Sequence, residues 1–144
     1  MRTPVDLQKH QSLVAELLEI FLKEGFVVSG ADGVNGFSPP VELGNDGYGD
    51  QKNKSPDVYA YDEHRQCYVI GEAKTGAGDF ETEHALTQYC VFLDQFHSLS
   101  RKQSLLYVIV PSTKVAEFNT LITHYMHPDY WKSVVLVSST KWEE

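Results

Sequence analysis

The sequence predicts an α/β fold in which a mixed central sheet is flanked by helices. The first observation is an amphipathic stretch at residues 6–24, whose apolar side chains recur at helical spacing. The second is a pair of apolar runs, at about 56–62 and 66–73, joined by the polar turn Asp62–Arg65. The third is the alternation of helical and strand patterns that follows. Strands followed by alternating helices and strands are typical of an α/β sandwich with a mixed sheet.

Each element is indicated by a local pattern. The first helix is predicted to end at Gly25, a residue that favours helix termination, and residues 26–29 form a short apolar strand candidate. Pro111 ends a continuous apolar run that is typical of a buried strand. After the paired runs, the predictions in chain order are a helix at 80–97, a strand at 105–110, a helix at 114–126 and a strand at 134–137. The predicted order is therefore α-β-β-β-α-β-α-β.

The region between the first and second strands has no periodicity. Residues 30–55 are rich in glycine, proline, aspartate and asparagine. Such a long loop in a small domain is typically functional or mobile, and we expect a long mobile loop here. No domain boundary is evident, so residues 1–144 are predicted to form a single domain.

Composition narrows the class of protein. Hydrophobic residues make up 42% of the 144 and charged residues 22%, which is ordinary for a globular chain. No run is long enough to span a membrane, no signal-peptide pattern begins the chain, and the two cysteines fall within predicted elements. We therefore expect a cytoplasmic protein without a membrane partner. The net charge of −8 argues against a surface that coats nucleic acid generally.

The main functional signal combines Asp57 with Glu72-Ala73-Lys74. Asp57 opens one predicted strand, and the other three residues close the next. If the turn Asp62–Arg65 makes these strands a hairpin, its open end gathers Asp57, Glu72 and Lys74. Residues two apart in a strand share a face, so Lys74 accompanies Glu72 while Ala73 packs on the opposite side.

Two interpretations of this arrangement are open. Two carboxylates beside an ammonium suit hydrolysis of a phosphodiester, because Mg²⁺ or Mn²⁺ prefers oxygen ligands and can activate a water as the nucleophile. Alternatively, Glu72 and Lys74 form an exposed ion pair and Asp57 caps a turn. The order of the surrounding helices and strands favours the first interpretation.

The motif Pro56-Asp57 with Glu72-Ala73-Lys74 resembles that of the PD-(D/E)xK nuclease superfamily, which has a restriction-endonuclease-like fold. The likeness extends to the order of elements over most of the chain. It implies a three-layer sandwich that cleaves DNA with Mg²⁺. It also implies that Asp57, Glu72 and the Ala73 carbonyl bind the metal and that Lys74 is the catalytic lysine.

Two further site residues are suggested by the same resemblance. Many members place an acidic residue on the first helix, for which Glu16 is the candidate because it lies at the edge of the apolar face. Some members carry a glutamine on the helix after the E-x-K strand, and Gln88 lies at a suitable place. The helix surface is the competing interpretation for Gln88, because Tyr89 adjoins it instead of lying several residues away.

Contacts with DNA are predicted at two places. Lys52 and Lys54 precede Asp57 in the long loop, and Arg101 and Lys102 follow the second predicted helix. A domain this small is expected to act as a homodimer or with a partner protein, because cutting two strands is simplest with two-fold symmetry. The acidic charge also keeps open a catalytically inactive module that uses this fold to bind nucleic acid or protein.

Overall fold

The computed structural model describes residues 4–141. Its elements are α1 (Pro4–Glu24), β1 (Val27–Ala31), β2 (Val58–Asp62), β3 (Cys67–Ala73), α2 (Glu83–Leu93), β4 (Leu105–Val110), α3 (Val115–Tyr125), α4 (Pro128–Trp131) and β5 (Val134–Ser138). The predicted α/β class and element order are confirmed. The short helix α4 and a 3₁₀ turn at Ser112–Lys114 are additions that the sequence patterns did not indicate.

The strands form one mixed sheet in the order β1-β2-β3-β4-β5. The first three run antiparallel, and β3, β4 and β5 run parallel to one another. The parallel connections pass through α2 and through α3 with α4, as parallel strands require. The two strands of the motif, β2 and β3, are direct antiparallel neighbours, as predicted.

Helices cover both faces of the sheet. On one face, α1 buries Leu13, Leu17 and Phe21 against the sheet. A side chain at Gly71 of β3 would meet Leu17 Cδ2 at 2.8 Å, so glycine here allows α1 to pack closely. On the other face, α2 and α3 pack Tyr89, Phe92 and Phe118 against β4 and its neighbours. The sheet is therefore the middle of three layers.

Helix α2 is shorter than the predicted 80–97. Thr82 caps its N-terminus by accepting a hydrogen bond from the Ala85 N–H at 3.0 Å. At the other end, Gln95 accepts a hydrogen bond from the Ser104 N–H, and Phe96 pairs with Gln103. These backbone groups therefore bond to the strand-like segment before β4 instead of continuing the helix.

The long loop before β2 has internal order. Leu43 and Lys54 form an antiparallel bridge, and the Asn45 side chain bonds to the backbone of Tyr48 and Lys52. Leu43 is buried with the core of the α2 face. The mobility expected for residues 30–55 stays a prediction, but the loop has a defined path that leads to the end of β2.

Candidate active site

The register of β2 and β3 brings the motif residues to one end of the sheet. Val58 pairs with Gly71, and the Asp57 N–H donates to the Gly71 carbonyl at 3.0 Å. Asp57 and Glu72 therefore lie opposite each other on neighbouring strands. Lys74 follows directly after β3, where its N–H donates to the Ile109 carbonyl at 3.0 Å.

Gln88 of α2 links the lysine to the glutamate. The Lys74 ammonium donates to Gln88 Oε1 at 2.5 Å and lies 3.2 Å from Glu72 Oε2. Gln88 Nε2 donates to the same Glu72 oxygen at 3.1 Å. All three residues are at most 5% exposed. The structure brings Gln88 together with Glu72 and Lys74, and its role in a reaction stays a prediction.

Asp57 is held from two sides. Its Oδ2 accepts the Ala73 N–H at 2.8 Å and lies 3.2 Å from His10 Nε2. His10 belongs to α1 and is 7% exposed. Ala73 points its side chain into the core on the α1 face, as the strand alternation predicted. Sequence reasoning missed the contribution of His10, and the available signal was a polar side chain on the apolar face of an amphipathic helix.

The two carboxyl groups have opposite electrostatic environments. Burial raises the pKa of Glu72 well above its ordinary value, and the charge of Asp57 raises it further, whereas Lys74 opposes both. Burial also acts to raise the pKa of Asp57, but the hydrogen bond from His10 and that from the Ala73 N–H outweigh it and lower the pKa. Asp57 is therefore the stable carboxylate, and Glu72 keeps a proton more readily.

These side chains line an open cavity of about 520 Å³. Five acidic residues contribute to its wall: Asp6, Asp32, Asp57, Glu72 and Asp79. Lys74, His10 and His84 also line it. A wall with this many acidic residues repels a phosphate group and attracts cations.

One observation indicates that a divalent cation would fit between the two carboxylates. Glu72 Oε1 is completely buried and accepts no hydrogen bond within the described part of the chain. A cation between this oxygen and Asp57 would give it a partner and offset the like charges. No group of three His, Cys, Asp or Glu side chains in residues 4–141 could hold a metal. Two carboxylates with a backbone carbonyl still suit Mg²⁺, which keeps several of its waters.

Glu16 does not face this cavity, which corrects the expectation for the first helix. Its carboxylate accepts hydrogen bonds from Ser139 Oγ at 2.7 Å, the Thr140 N–H at 2.8 Å and Thr140 Oγ1 at 3.2 Å. Its side chain therefore fixes the segment after β5 to α1. His10 is the α1 residue that reaches Asp57.

Lys54 is also not placed to meet a DNA backbone. It is 3% exposed, and its ammonium donates to Asp50 Oδ2 and to His84 Nδ1, both at 2.7 Å. These contacts attach the loop to the start of α2. Lys52 is exposed in the same loop, and its interaction with nucleic acid stays a prediction.

Arg101 and Lys102 lie at the opposite end of the sheet from the cavity. Both are exposed, and the neighbouring Ser100 Oγ donates to the Gln66 carbonyl just before β3 begins. Glu72 lies near the other end of β3, about 17 Å further along the strand. Any nucleic acid that contacts these residues would bind apart from the candidate site.

No protein-family model, curated protein or solved structure matches this chain. Within residues 4–141, no helix combines the length and the apolar character that crossing a bilayer requires.

Proposed function

We propose that this chain is a Mg²⁺- or Mn²⁺-dependent deoxyribonuclease of the PD-(D/E)xK type, with a restriction-endonuclease-like fold. The observation that carries the proposal is the convergence of Asp57, Glu72, Lys74 and Gln88 in one buried cluster at the wall of an open cavity. An exposed ion pair and a turn cap would not need a second helix to supply a buried glutamine between them. The arrangement therefore favours a functional site over an exposed ion pair with a turn cap.

Each side chain has a defined task in this proposal. Asp57 and Glu72, with the Ala73 carbonyl, would hold the cation, which would activate a water and neutralise charge on the phosphate. Lys74 places a positive charge beside Glu72, where it stabilises the charge that develops on a phosphate oxygen. Gln88 keeps the ammonium in position through its carbonyl oxygen and holds Glu72 through its amide.

The proposed substrate is DNA, bound through local contacts because the chain as a whole is acidic. A homodimer or a partner protein would supply the second active site that a double-strand cut requires. The cation has an additional task in this setting, because without it the acidic wall of the cavity repels the scissile phosphate.

Cleavage assays test the proposal. Wild type, Lys74→Met and the control Lys132→Met are incubated with plasmid, single-stranded and branched DNA, with Mg²⁺ or with a chelator. Lys132 is exposed after α4, so its replacement removes an equal charge away from the cavity. We expect Mg²⁺-dependent cleavage that Lys74→Met lowers by about 100-fold or more, with Lys132→Met unchanged. Equal rates for wild type and Lys74→Met would overturn the mechanism.

A second candidate is a non-cutting module of the same fold that binds nucleic acid or protein. It is favoured by the lack of three grouped metal-binding side chains in the described residues and by the acidic wall of the cavity. Calorimetric titration with Mn²⁺ separates the candidates. A binding heat that Asp57→Asn abolishes supports the nuclease, whereas no heat from wild type favours the module.

A further inference from the structure

Four aromatic rings form a continuous cluster on the sheet. They belong to Tyr59 and Tyr61 of β2, Tyr68 of β3 and His97 of the segment after α2, and together are called the aromatic surface. Tyr59 stacks on Tyr68 with ring centroids 5.6 Å apart. His97 lies 5.0 Å from Tyr61 and 5.5 Å from Tyr68. The four rings therefore form one continuous set of contacts.

The strand register places the tyrosines on the same face as the candidate active site. Tyr61 pairs directly with Tyr68, and Tyr59 lies two residues before Tyr61. Glu72 lies four residues beyond Tyr68 in β3. Residues an even number apart in a strand lie on the same face, so Glu72 shares the face of the tyrosines. The separation along the strand is about 13 Å.

The outer rings of the cluster remain accessible. Tyr61, Tyr68 and His97 are half-buried. Tyr59 is the inner ring, because it packs against that core, and burial raises its pKa to about 12. A hydrophobic core alone would not require three further rings at the surface.

Positive charges adjoin the aromatic surface. Arg101 and Lys102 are exposed in the segment that follows His97, and the Lys102 carbonyl accepts the His97 N–H. These are two of the twelve lysines and arginines in a chain of net charge −8.

We propose that the aromatic surface and its two adjoining cations, Arg101 and Lys102, bind single-stranded nucleic acid. Unpaired bases stack on aromatic rings, and arginine and lysine bind the phosphates between them. A double helix would not present its bases to the rings. This site is separate from the catalytic cluster and does not depend on cleavage there.

Binding is measured by fluorescence anisotropy with a labelled oligothymidylate of about 15 nucleotides, in a chelator so that no cleavage occurs. An abasic oligomer of the same length reports binding through phosphates alone. The variants are Tyr68→Leu, the pair Arg101→Asn with Lys102→Gln, and the control pair Lys132→Gln with Lys141→Gln. The exposed charge variants leave the core intact, so they test the site even if Tyr68→Leu is unstable.

We expect wild type to bind oligothymidylate about tenfold or more tightly than the abasic oligomer, with affinity that falls as salt rises. Tyr68→Leu should remove the preference for bases, and the Arg101/Lys102 pair should weaken both ligands. The proposal is overturned if wild type binds neither oligomer, if both bind equally, or if the control pair weakens binding as much as the Arg101/Lys102 pair.

Discussion

His10 and Asp57 are joined across 47 positions of sequence by a hydrogen bond of 3.2 Å between Nε2 and Oδ2. Because the pKa of Asp57 is lowered, its carboxylate accepts, and the His10 ring must carry its proton on Nε2. The same Oδ2 accepts the Ala73 N–H, so α1 and β3 together fix one carboxylate oxygen.

Replacing His10 with alanine should weaken Mn²⁺ binding about tenfold, because Asp57, a proposed metal ligand, loses a side chain that orients it. Calorimetric titration of wild type and His10→Ala measures the change without needing activity. His127→Ala is the matched control, since His127 is exposed beyond α3. Equal Mn²⁺ affinity in wild type and His10→Ala would show that His10 does not orient Asp57 for metal binding.

Glu16 should contribute to stability and leave metal binding unchanged. Glu16→Ala removes a buried carboxylate that accepts three hydrogen bonds from Ser139 and Thr140, and we expect a loss of about 1–3 kcal/mol in the free energy of unfolding. Urea denaturation measures it. Glu19→Ala is the control, because Glu19 is exposed and should change stability by less than about 0.5 kcal/mol. A loss of Mn²⁺ binding in folded Glu16→Ala would restore Glu16 to the site.

The contrast between His10 and Glu16 shows which feature of the site a single sequence does not predict. Strand alternation and hairpin pairing are local rules, so the convergence of Asp57, Glu72 and Lys74 could be predicted. Helical periodicity gives the direction of each α1 side chain but not which turn lies beside the end of the sheet. His10 and Glu16 are separated by about 9 Å along the helix axis. That axial position depends on packing between distant elements, which a single sequence does not specify.

Lys54 illustrates the same limit for a loop. A lysine in a glycine-rich segment is expected to be exposed, yet its ammonium is buried because the loop folds back onto α2. The contacts that bury it lie on Asp50 and His84, and the second is 30 residues away. Local composition indicates that a loop is present but not which surface it packs against.

Lys54→Met should loosen this loop. Without its ammonium, Asp50 and His84 lose their common donor, and the segment near Tyr48 should be cut faster by chymotrypsin under native conditions. Lys52→Met is the control, because Lys52 is exposed two residues earlier and its loss should leave the cleavage rate unchanged. Equal protection in both variants would show that other contacts hold the loop.

The turn between β2 and β3 should make the stability of the folded protein depend measurably on pH. Asp62 is buried, and its carboxylate accepts the His64 and Arg65 N–H groups and pairs with the Arg65 guanidinium at 2.8 Å. Burial acts to raise the pKa of Asp62, but the hydrogen bonds and charge of Arg65 outweigh it and lower the pKa. The carboxylate therefore binds its proton less readily in the folded chain than in the unfolded chain.

Stability from this group is fully present above the unfolded pKa of about 4 and is lost as pH falls through the lower folded pKa. Asp62→Asn keeps an acceptor for the turn but removes the charge, and we expect it to cost about 1 kcal/mol at neutral pH. Urea denaturation of wild type and Asp62→Asn between pH 7 and about pH 3 measures this difference, which should shrink on acidification. Glu63→Gln, exposed in the same turn, is the control. A difference that stays constant with pH would mean that the Asp62 charge does not stabilise the turn.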